Sequence, residues 1–144
     1  MGFNLVIYKP GLFSLGKYKT KCIINLLWYI ITLGRVRILL LLENNLVVHS
    51  IYITSKTYRF AYMNKKDINI GQAETLPDYR GRGIFTNLMK LILEYFSNTD
   101  ISVWVYCDIN NIASQKAIER AGFEFVSDAK ISKLTRIVHV LEKK

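Results

Sequence analysis

The segment with the clearest chemical potential is the run Arg80-Gly81-Arg82-Gly83, placed just before an apolar-periodic stretch. The N-terminus of a helix attracts anions through unpaired N–H groups and a partial positive charge. Glycines have no Cβ and let the main chain approach a phosphate, while the arginines add full positive charge. The run has neither the Gly-Lys-Ser/Thr of a Walker loop nor the three-glycine dinucleotide fingerprint. It indicates a phosphate-binding loop of a different kind from these two, although a turn on a basic surface would explain it equally well.

A second segment, residues 110–123, follows one strand and one short turn after the first helix. It opens with helix-capping asparagines, and Ser114 lies one helical turn after Asn111. It ends with Gly122 and Phe123, which is typical of a helix C-terminus that leads into a strand. A well-capped helix explains its shape, but not its position behind a phosphate turn.

Together, the two segments resemble the GNAT superfamily of N-acetyltransferases. The cofactor motif of that superfamily, Gln/Arg-x-x-Gly-x-Gly/Ala, is matched by Arg80 and Gly83, with Phe85 in the last place. The later motif, Asn-x-x-Ala/Ser followed by a Glu-Lys-x-Gly-Phe ending, is matched by Asn111, Ser114, Glu119, Arg120, Gly122 and Phe123. The resemblance is firm over residues 68–127 and weaker over 36–67.

The resemblance implies acetyl-CoA as co-substrate and a sheet whose strands at 68–76 and 101–106 separate. The pantetheine arm would lie in the gap, and main-chain N–H groups of residues 80–85 would hold the diphosphate. The residues that the resemblance places against the cofactor are Thr75, Leu76, Arg80, Gly81, Arg82, Gly83, Ile84, Phe85, Asn111 and Ser114. No metal is implied.

Acetyl transfer to an amine needs a base for the ammonium proton and an acid for the leaving thiolate. Glu74, close to the strand break, is the first candidate base, and an exposed strand-end carboxylate is the alternative interpretation. His49 is the second candidate, since imidazole titrates near neutrality. Many members of the superfamily have a tyrosine as the acid where this chain has Ile118. Ser114, Tyr106 or water could replace it.

Periodicity predicts the elements that must position these residues. Alternation along the fourth strand predicts that one set of side chains shares a face: Ile68, Ile70, Gln72, Glu74 and Leu76. The helix at 21–33 should be buried. The predicted strands are 3–8, 36–42, 46–54, 68–76, 101–106, 123–126 and 134–141, and the predicted helices are 21–33, 84–96 and 111–121. This order predicts an α/β (α+β) fold, a mixed and splayed central sheet flanked by helices, in a single domain over residues 1–144.

Composition limits the classes of binding partner that the protein can have. The net charge of +9 favours an anionic ligand, but no block of like charges indicates a nucleic-acid arm, and no nucleic acid is expected. Charges interrupt the apolar stretch at 22–42, so no membrane span is expected, although surface contact stays open. Two distant cysteines, Cys22 and Cys107, suit a reduced cytoplasmic protein without a zinc site. A homodimer is compatible with the sequence.

The leading functional hypothesis is transfer of acetyl from acetyl-CoA to a primary amine of a small molecule. The region 46–92 resembles superfamily members linked to bacterial surface-polysaccharide synthesis, which favours an amino sugar, including a nucleotide-linked one. Fold does not determine substrate. The alternatives are acetylation of a protein or peptide amine and a catalytically silent acyl-CoA sensor or interaction domain.

Overall fold

The structure, a computed structural model, describes residues 2–11, 13–14, 18 and 21–141. The strands are β1 Phe3–Tyr8, β2 Arg37–Glu43, β3 Leu46–Ser55, β4 Ile68–Thr75, β5 Val103–Val105, β6 Ala129–Ile131 and β7 Val138–Val140. The α-helices are α1 Cys22–Ile31, α2 Ile84–Phe96 and α3 Ile112–Ala121. A 3₁₀ turn, Pro77–Tyr79, precedes α2.

Five strands form the main sheet in the order β1-β2-β3-β4-β5, and β6 pairs with β7 in a separate antiparallel ribbon. All neighbours in the main sheet are antiparallel except β4 and β5, which are parallel. The predicted hairpin between β2 and β3 turns at Asn44 and Asn45, whose φ values of 49° and 64° suit a tight two-residue turn. The predicted mixed α+β fold is confirmed.

The sheet separates two apolar clusters. Ile38, Leu40 and Leu42 of β2 point to the face that carries α1, whereas the alternate residues Leu39 and Leu41 point to the face covered by α2 and α3. A strand that is buried on both faces explains the continuous apolar run of β2. The two faces therefore position different candidate residues.

The predicted separation of the fourth and fifth strands is present. Parallel pairing runs only from Ile68 and Val103 to Ile70 and Val105. β4 continues to Thr75, while β5 ends at Val105. Beyond Ile70, the edge of β4 that faces β5 is no longer paired with that strand.

Asp67 holds the paired start of these two strands together. Its carboxylate accepts hydrogen bonds from the N–H of Asn64 (2.8 Å), the N–H of Ser102 (3.2 Å) and the indole N–H of Trp104 (2.9 Å). Burial opposes ionisation, but these donors outweigh it and lower the pKa of Asp67. The carboxylate thus fixes the point from which the strands diverge.

The predicted single face along β4 is wrong beyond Ile70, because a bulge interrupts the alternation. The β3–β4 register shifts next to Gln72, whose φ is +47°. Ile70 faces the α2 side, whereas the Gln72 side chain accepts a hydrogen bond from the Trp28 indole of α1 at 2.7 Å. The bulge thus turns the following part of the strand towards α1.

The prediction of a buried first helix is also wrong. α1 buries Asn25 and Trp28, while Ile23, Leu27 and Ile30 are exposed. The predicted helix is present, but the apolar character of its residues did not indicate which side of the helix faces the sheet. Within the described residues, no helix is long and apolar enough to cross a bilayer.

The closing strands lie later than predicted. Residues 123–128 contain no strand, and the final ribbon pairs β6 with β7 instead of 123–126 with 134–141. The N–H of Phe123 donates to Ile118 O at 3.3 Å as part of the C-terminal cap of α3. This N–H is therefore not available to pair with a neighbouring strand. β7 joins the body of the protein through the bond from Val138 N–H to Arg59 O at 2.9 Å.

Candidate active site

The loop between β4 and α2 has the open conformation that the sequence predicts. Gly81 and Gly83 have φ values of +73° and +72°, a region that favours glycine. A Cβ at Gly81 would meet no atom within 4 Å, and one at Gly83 would meet only Asn87 Nδ2 at 3.8 Å. The space on which these glycines border is therefore not filled by protein atoms.

The first amides of α2 are available to a ligand. The first helical bond is donated by Asn87 N–H to Gly83 O at 2.9 Å, and Gly83 provides no side-chain cap. Within the part of the chain that the structure describes, no hydrogen bond uses the N–H groups of Ile84 and Phe85. Arg80 N–H is already donated to Pro77 O at 3.1 Å, which excludes it from the predicted set of free amides.

The two loop arginines brace the turn while their charges stay exposed. Arg80 Nε donates to Thr75 O at 3.1 Å, and Arg82 Nη2 donates to Asp78 O at 2.8 Å. The Arg82 guanidinium also lies 4.8 Å from the ring centre of Tyr79. Both cations therefore remain at the mouth of the loop.

Tyr79 connects this loop to the end of β2. Its hydroxyl donates to Glu43 Oε2 at 2.5 Å, and this bond raises the pKa of the phenol. Sequence reasoning missed Glu43 and Tyr79 as loop supports, because a contact across 36 positions leaves no local signal.

A cleft of about 450 Å³ lies beside the strand break, between α1 and the ends of β3 and β4. Its lining residues are Tyr18, Lys21, Ile24, Val47, Val48, His49, Ser50, Tyr52, Gln72, Ala73, Glu74 and Leu76. Both candidate bases, Glu74 and His49, belong to this lining, as does Leu76 from the cofactor set. The bulge at Gln72 brings Glu74 to this side of the strand.

Glu74 is a half-exposed carboxylate that forms an ion pair with Lys21, with 2.5 Å between Nζ and Oε2. Lys21 precedes α1, so this pair closes the cleft between β4 and the first helix. The distance in sequence is 53 positions, and the sequence alone did not indicate the partnership.

His49 is 1% exposed and sits between Thr75 and Phe85. Its Nδ1 lies 2.7 Å from Thr75 Oγ1, and the Phe85 ring centre lies 5.9 Å from the imidazole centre. Nε2 is buried without a hydrogen-bond partner among the described residues. Burial lowers the pKa of His49 to about 4, so the ring is neutral at physiological pH.

This contact accounts for Phe85 in the place of a small residue. The half-buried side chain packs against the α2-side cluster and His49, as its helical phase predicts. The ring therefore points away from the exposed N-terminal edge of α2.

The two candidate acids do not lie together. Tyr106 follows β5 and packs against the α1-side cluster, with its ring centre 5.9 Å from that of Phe60. Ser114 lies on α3, where its N–H donates to Asn111 Oδ1 at 3.1 Å and completes the predicted cap. Ile118 is packed in the α2-side core. Neither Tyr106 nor Ser114 lines the cleft.

No group of three or more His, Cys, Asp or Glu side chains that could hold a metal ion occurs within the described ranges. Cys22 and Cys107 are both free.

Residues 54–124 match the family model described as an acetyltransferase (GNAT) domain. No curated protein sequence matches the chain.

Solved structures share the fold over nearly the whole chain. The aminoglycoside 6'-N-acetyltransferase AAC(6')-Ih from Acinetobacter baumannii has a TM-score of 0.63 at 15% identity, over 92% of this chain and 97% of its own. AAC(6')-Iy with a CoA bisubstrate analogue has a TM-score of 0.63 at 14% identity, over 90% of this chain and 97% of its own. A predicted acetyltransferase from Clostridium acetobutylicum, solved with acetyl-CoA, has a TM-score of 0.61 at 14% identity, over 87% of this chain and 92% of its own.

At these identities, the likeness concerns the fold. Both segments that carry the sequence resemblance, the loop before α2 and helix α3, lie within the matched residues 54–124. Residues 54–124 are therefore similar to a GNAT acetyltransferase domain, and the chain has the fold that these solved acetyltransferases share.

Proposed function

We propose that this protein is an enzyme that transfers acetyl from acetyl-CoA to a primary amine of a small molecule. One observation carries the proposal: the N-terminus of α2, with its free amides, follows the part of β4 that extends beyond its pairing with β5. An anion seat and a slot between strands are the two features that a long diphosphate-containing thioester requires.

The residues around this point fit such a cofactor. The amides of Ile84 and Phe85, with those of the two αL glycines, form a seat for the diphosphate, flanked by Arg80 and Arg82. The edge of β4 near Thr75 and Leu76 is suited to the pantetheine amides. Asn111 and Ser114 would approach from α3. The cofactor supplies an acetyl group activated as a thioester.

Within the cleft, Glu74 and His49 take different roles. Glu74 is half exposed at the cleft, so its carboxylate can bind an ammonium group of the acceptor and remove its proton directly or through water. His49 is neutral and buried, with a free Nε2 and a hydrogen-bonded Nδ1. A group with a pKa of about 4 holds protons weakly at neutral pH, so we assign His49 the role of orienting Thr75. The thiolate would take its proton from Tyr106, Ser114 or water.

An amino sugar is the acceptor that we favour, with a nucleotide-linked amino sugar as its more specific form. Several structures with this fold are named as aminoglycoside acetyltransferases, and aminoglycosides are built from amino sugars. The acidic Glu74 beside a cleft of about 450 Å³ suits a small cationic acceptor. We place the reaction in the cytoplasm, in one domain over residues 1–144.

A thiol-release assay with acetyl-CoA over a panel of amines tests the proposal. The panel contains amino sugars, nucleotide-linked amino sugars, aminoglycosides and a peptide with a free amine. We expect turnover with at least one sugar amine and none with the acetylated sugars. Turnover with the peptide alone would make the protein a peptide acetyltransferase, and tight CoA binding without turnover on any amine would make it a sensor.

A further inference from the structure

Helix α1 exposes an apolar side, whereas an ordinary surface helix exposes a polar one. Its ten residues contain no charged side chain. The buried side holds the polar Asn25, which accepts a hydrogen bond from the Tyr52 hydroxyl at 2.6 Å. Thr32, just after the helix, is also buried and donates to Trp28 O at 2.7 Å. Ile24 and Ile31 also pack against the α1-side core, whereas the remaining isoleucines and one leucine, Ile23, Ile30 and Leu27, stay exposed.

The outward side chains form one continuous stripe. Ile23, Leu27 and Ile30 follow each other at spacings of four and three residues, which places them on one face of the helix, and Leu33 is a further exposed leucine two residues after the helix end. Their exposed fractions are 76%, 54%, 59% and 83%. Aliphatic side chains grouped in this way on a surface mark a place that another apolar phase covers. We call these four residues the α1 stripe.

The sequence on either side of the α1 stripe is strongly basic. Residues 1–42 contain six basic residues and no Asp or Glu, and the basic residues are Lys9, Lys17, Lys19, Lys21, Arg35 and Arg37. The ribbon of β6 and β7 spans residues 129–140, which contain Lys130, Lys133 and Arg136 and again no acid. Among the described residues, the ion pair that these cations form is that of Lys21 with Glu74.

Arg59 places the basic ribbon beside α1. Its guanidinium lies 5.5 Å from the ring centre of Trp28 on α1, and its Nε donates to Arg136 O at 3.2 Å. Val138 of β7 and Trp28 belong to the same core cluster. The α1 stripe and the cations of the ribbon therefore lie on the same face of the sheet, opposite α2 and α3.

We propose that this face binds the surface of an anionic membrane, with α1 lying in the plane of the headgroups. The α1 stripe would enter the acyl boundary, while the flanking lysines and arginines would contact anionic lipid headgroups. Charge complementarity favours this occupant over a second copy of the chain, since two chains of net charge +9 repel each other. Ten residues are too few to span the bilayer.

The attachment would also orient the cleft. Lys21 and Ile24, at the start of α1, line the cleft that contains Glu74. With α1 on the lipid, that cleft opens beside the headgroups, whereas the loop before α2 stays on the side of α2. The α1 stripe contains none of the residues assigned to acetyl transfer, so the membrane contact and the proposed reaction can fail separately.

Vesicle co-sedimentation of the full-length protein tests the inference. The vesicles are phosphatidylcholine alone and phosphatidylcholine mixed with phosphatidylglycerol, each at low and high salt. We expect partitioning onto the anionic vesicles that weakens with salt, as for other electrostatic contacts. Equal partitioning onto both vesicle types, or none onto either, would overturn the proposal.

Two double variants locate the contact. Leu27→Gln with Ile30→Gln removes the centre of the α1 stripe and should lower the partition coefficient by roughly tenfold or more. Leu91→Gln with Tyr95→Gln is the matched control, because these α2 side chains are 50% and 79% exposed on the opposite face. The control should bind like the unaltered protein, and thermal unfolding verifies that both variants are folded.

The same variants distinguish a protein interface from a lipid one. Light scattering without vesicles should give a monomer mass for the unaltered protein and for the α1 variant. A dimer that the α1 variant dissociates would assign the stripe to self-association and overturn the membrane proposal. If the control variant loses as much vesicle binding as the α1 variant, the membrane proposal is also overturned.

Discussion

The most incisive perturbation of the proposed cofactor seat is Gly83→Val. Gly83 is the residue before α2, with a φ of +72° and no Cβ between the loop and the first free amides. A valine there would shift the backbone towards negative φ and place a branched side chain at the entrance. Both changes act on the geometry of the amides that we assign to the diphosphate.

The expected magnitudes differ between folding and binding. An L-residue in the left-handed region costs about 1–2 kcal/mol of folding free energy. No severe clash adds to this cost, since a Cβ would meet only Asn87 Nδ2 at 3.8 Å. Loss of two charge-assisted hydrogen bonds removes about 3 kcal/mol or more of binding free energy. Affinity for CoA should therefore fall by about a hundredfold or more, while the protein remains folded.

Titration calorimetry with CoA and urea unfolding measure the two effects. Gly122→Val is the matched control, because Gly122 also has a positive φ, +102°, but ends α3 far along the chain from the loop. Its Cβ would contact only Leu93 Cδ1 at 3.8 Å. The control should lose comparable stability and keep its CoA affinity. Unchanged affinity in Gly83→Val, or an equal loss in Gly122→Val, would refute the assignment of the seat.

Three further predictions concern charge and hydrogen bonding. Glu74→Gln should lower kcat by about a hundredfold, because the proposed base is lost, whereas Lys21→Met should keep most of the activity; steady-state kinetics compares the two variants. Because burial lowers the pKa of His49 from 6.5 to about 4, its contribution to stability is fully present above pH 6.5 and is lost as the pH falls through 4. The loss is about 3 kcal/mol, and it should vanish from the pH dependence of urea unfolding in His49→Asn. Asp67→Ala should cost about 3 kcal/mol in urea unfolding, because three donors lose their acceptor, and an unchanged midpoint would contradict its role at the strand junction.

Local chemistry explains why the loop and α2 were predictable. Glycines at positive φ and an apolar period of 3.6 residues are properties of a few neighbouring residues, and α2 begins and ends where the sequence places it, at Ile84 and Phe96. The cap of α3 by Asn111 is local in the same way. These are the features on which the resemblance to GNAT proteins rests.

Two of the incorrect predictions, the single face of β4 and the buried α1, depended on contacts between distant residues. The bulge at Gln72 is stabilised by Trp28, 44 positions away, and no alternation pattern within β4 contains that information. The orientation of α1 is determined by Tyr52, which gives Asn25 a buried partner, so the polar side turned inward. Apolar composition predicts that a helix forms, but a single buried hydrogen bond can decide which face it buries.

The departure at Phe85 and the assignment of the base have one physical cause. A small residue at the start of α2 would leave His49 accessible from that side, whereas the aromatic ring covers it and helps to keep it buried. A buried imidazole is neutral and binds a proton poorly. By helping to bury His49, the Phe85 ring therefore makes it unsuitable as the base, although histidine is the residue that normally titrates nearest neutrality. Among the described residues that line the cleft, Glu74 is then the one carboxylate that can accept a proton. The bulge at Gln72 thus matters for chemistry as well as for the fold, because it brings Glu74 to the side of the strand on which the acceptor would bind.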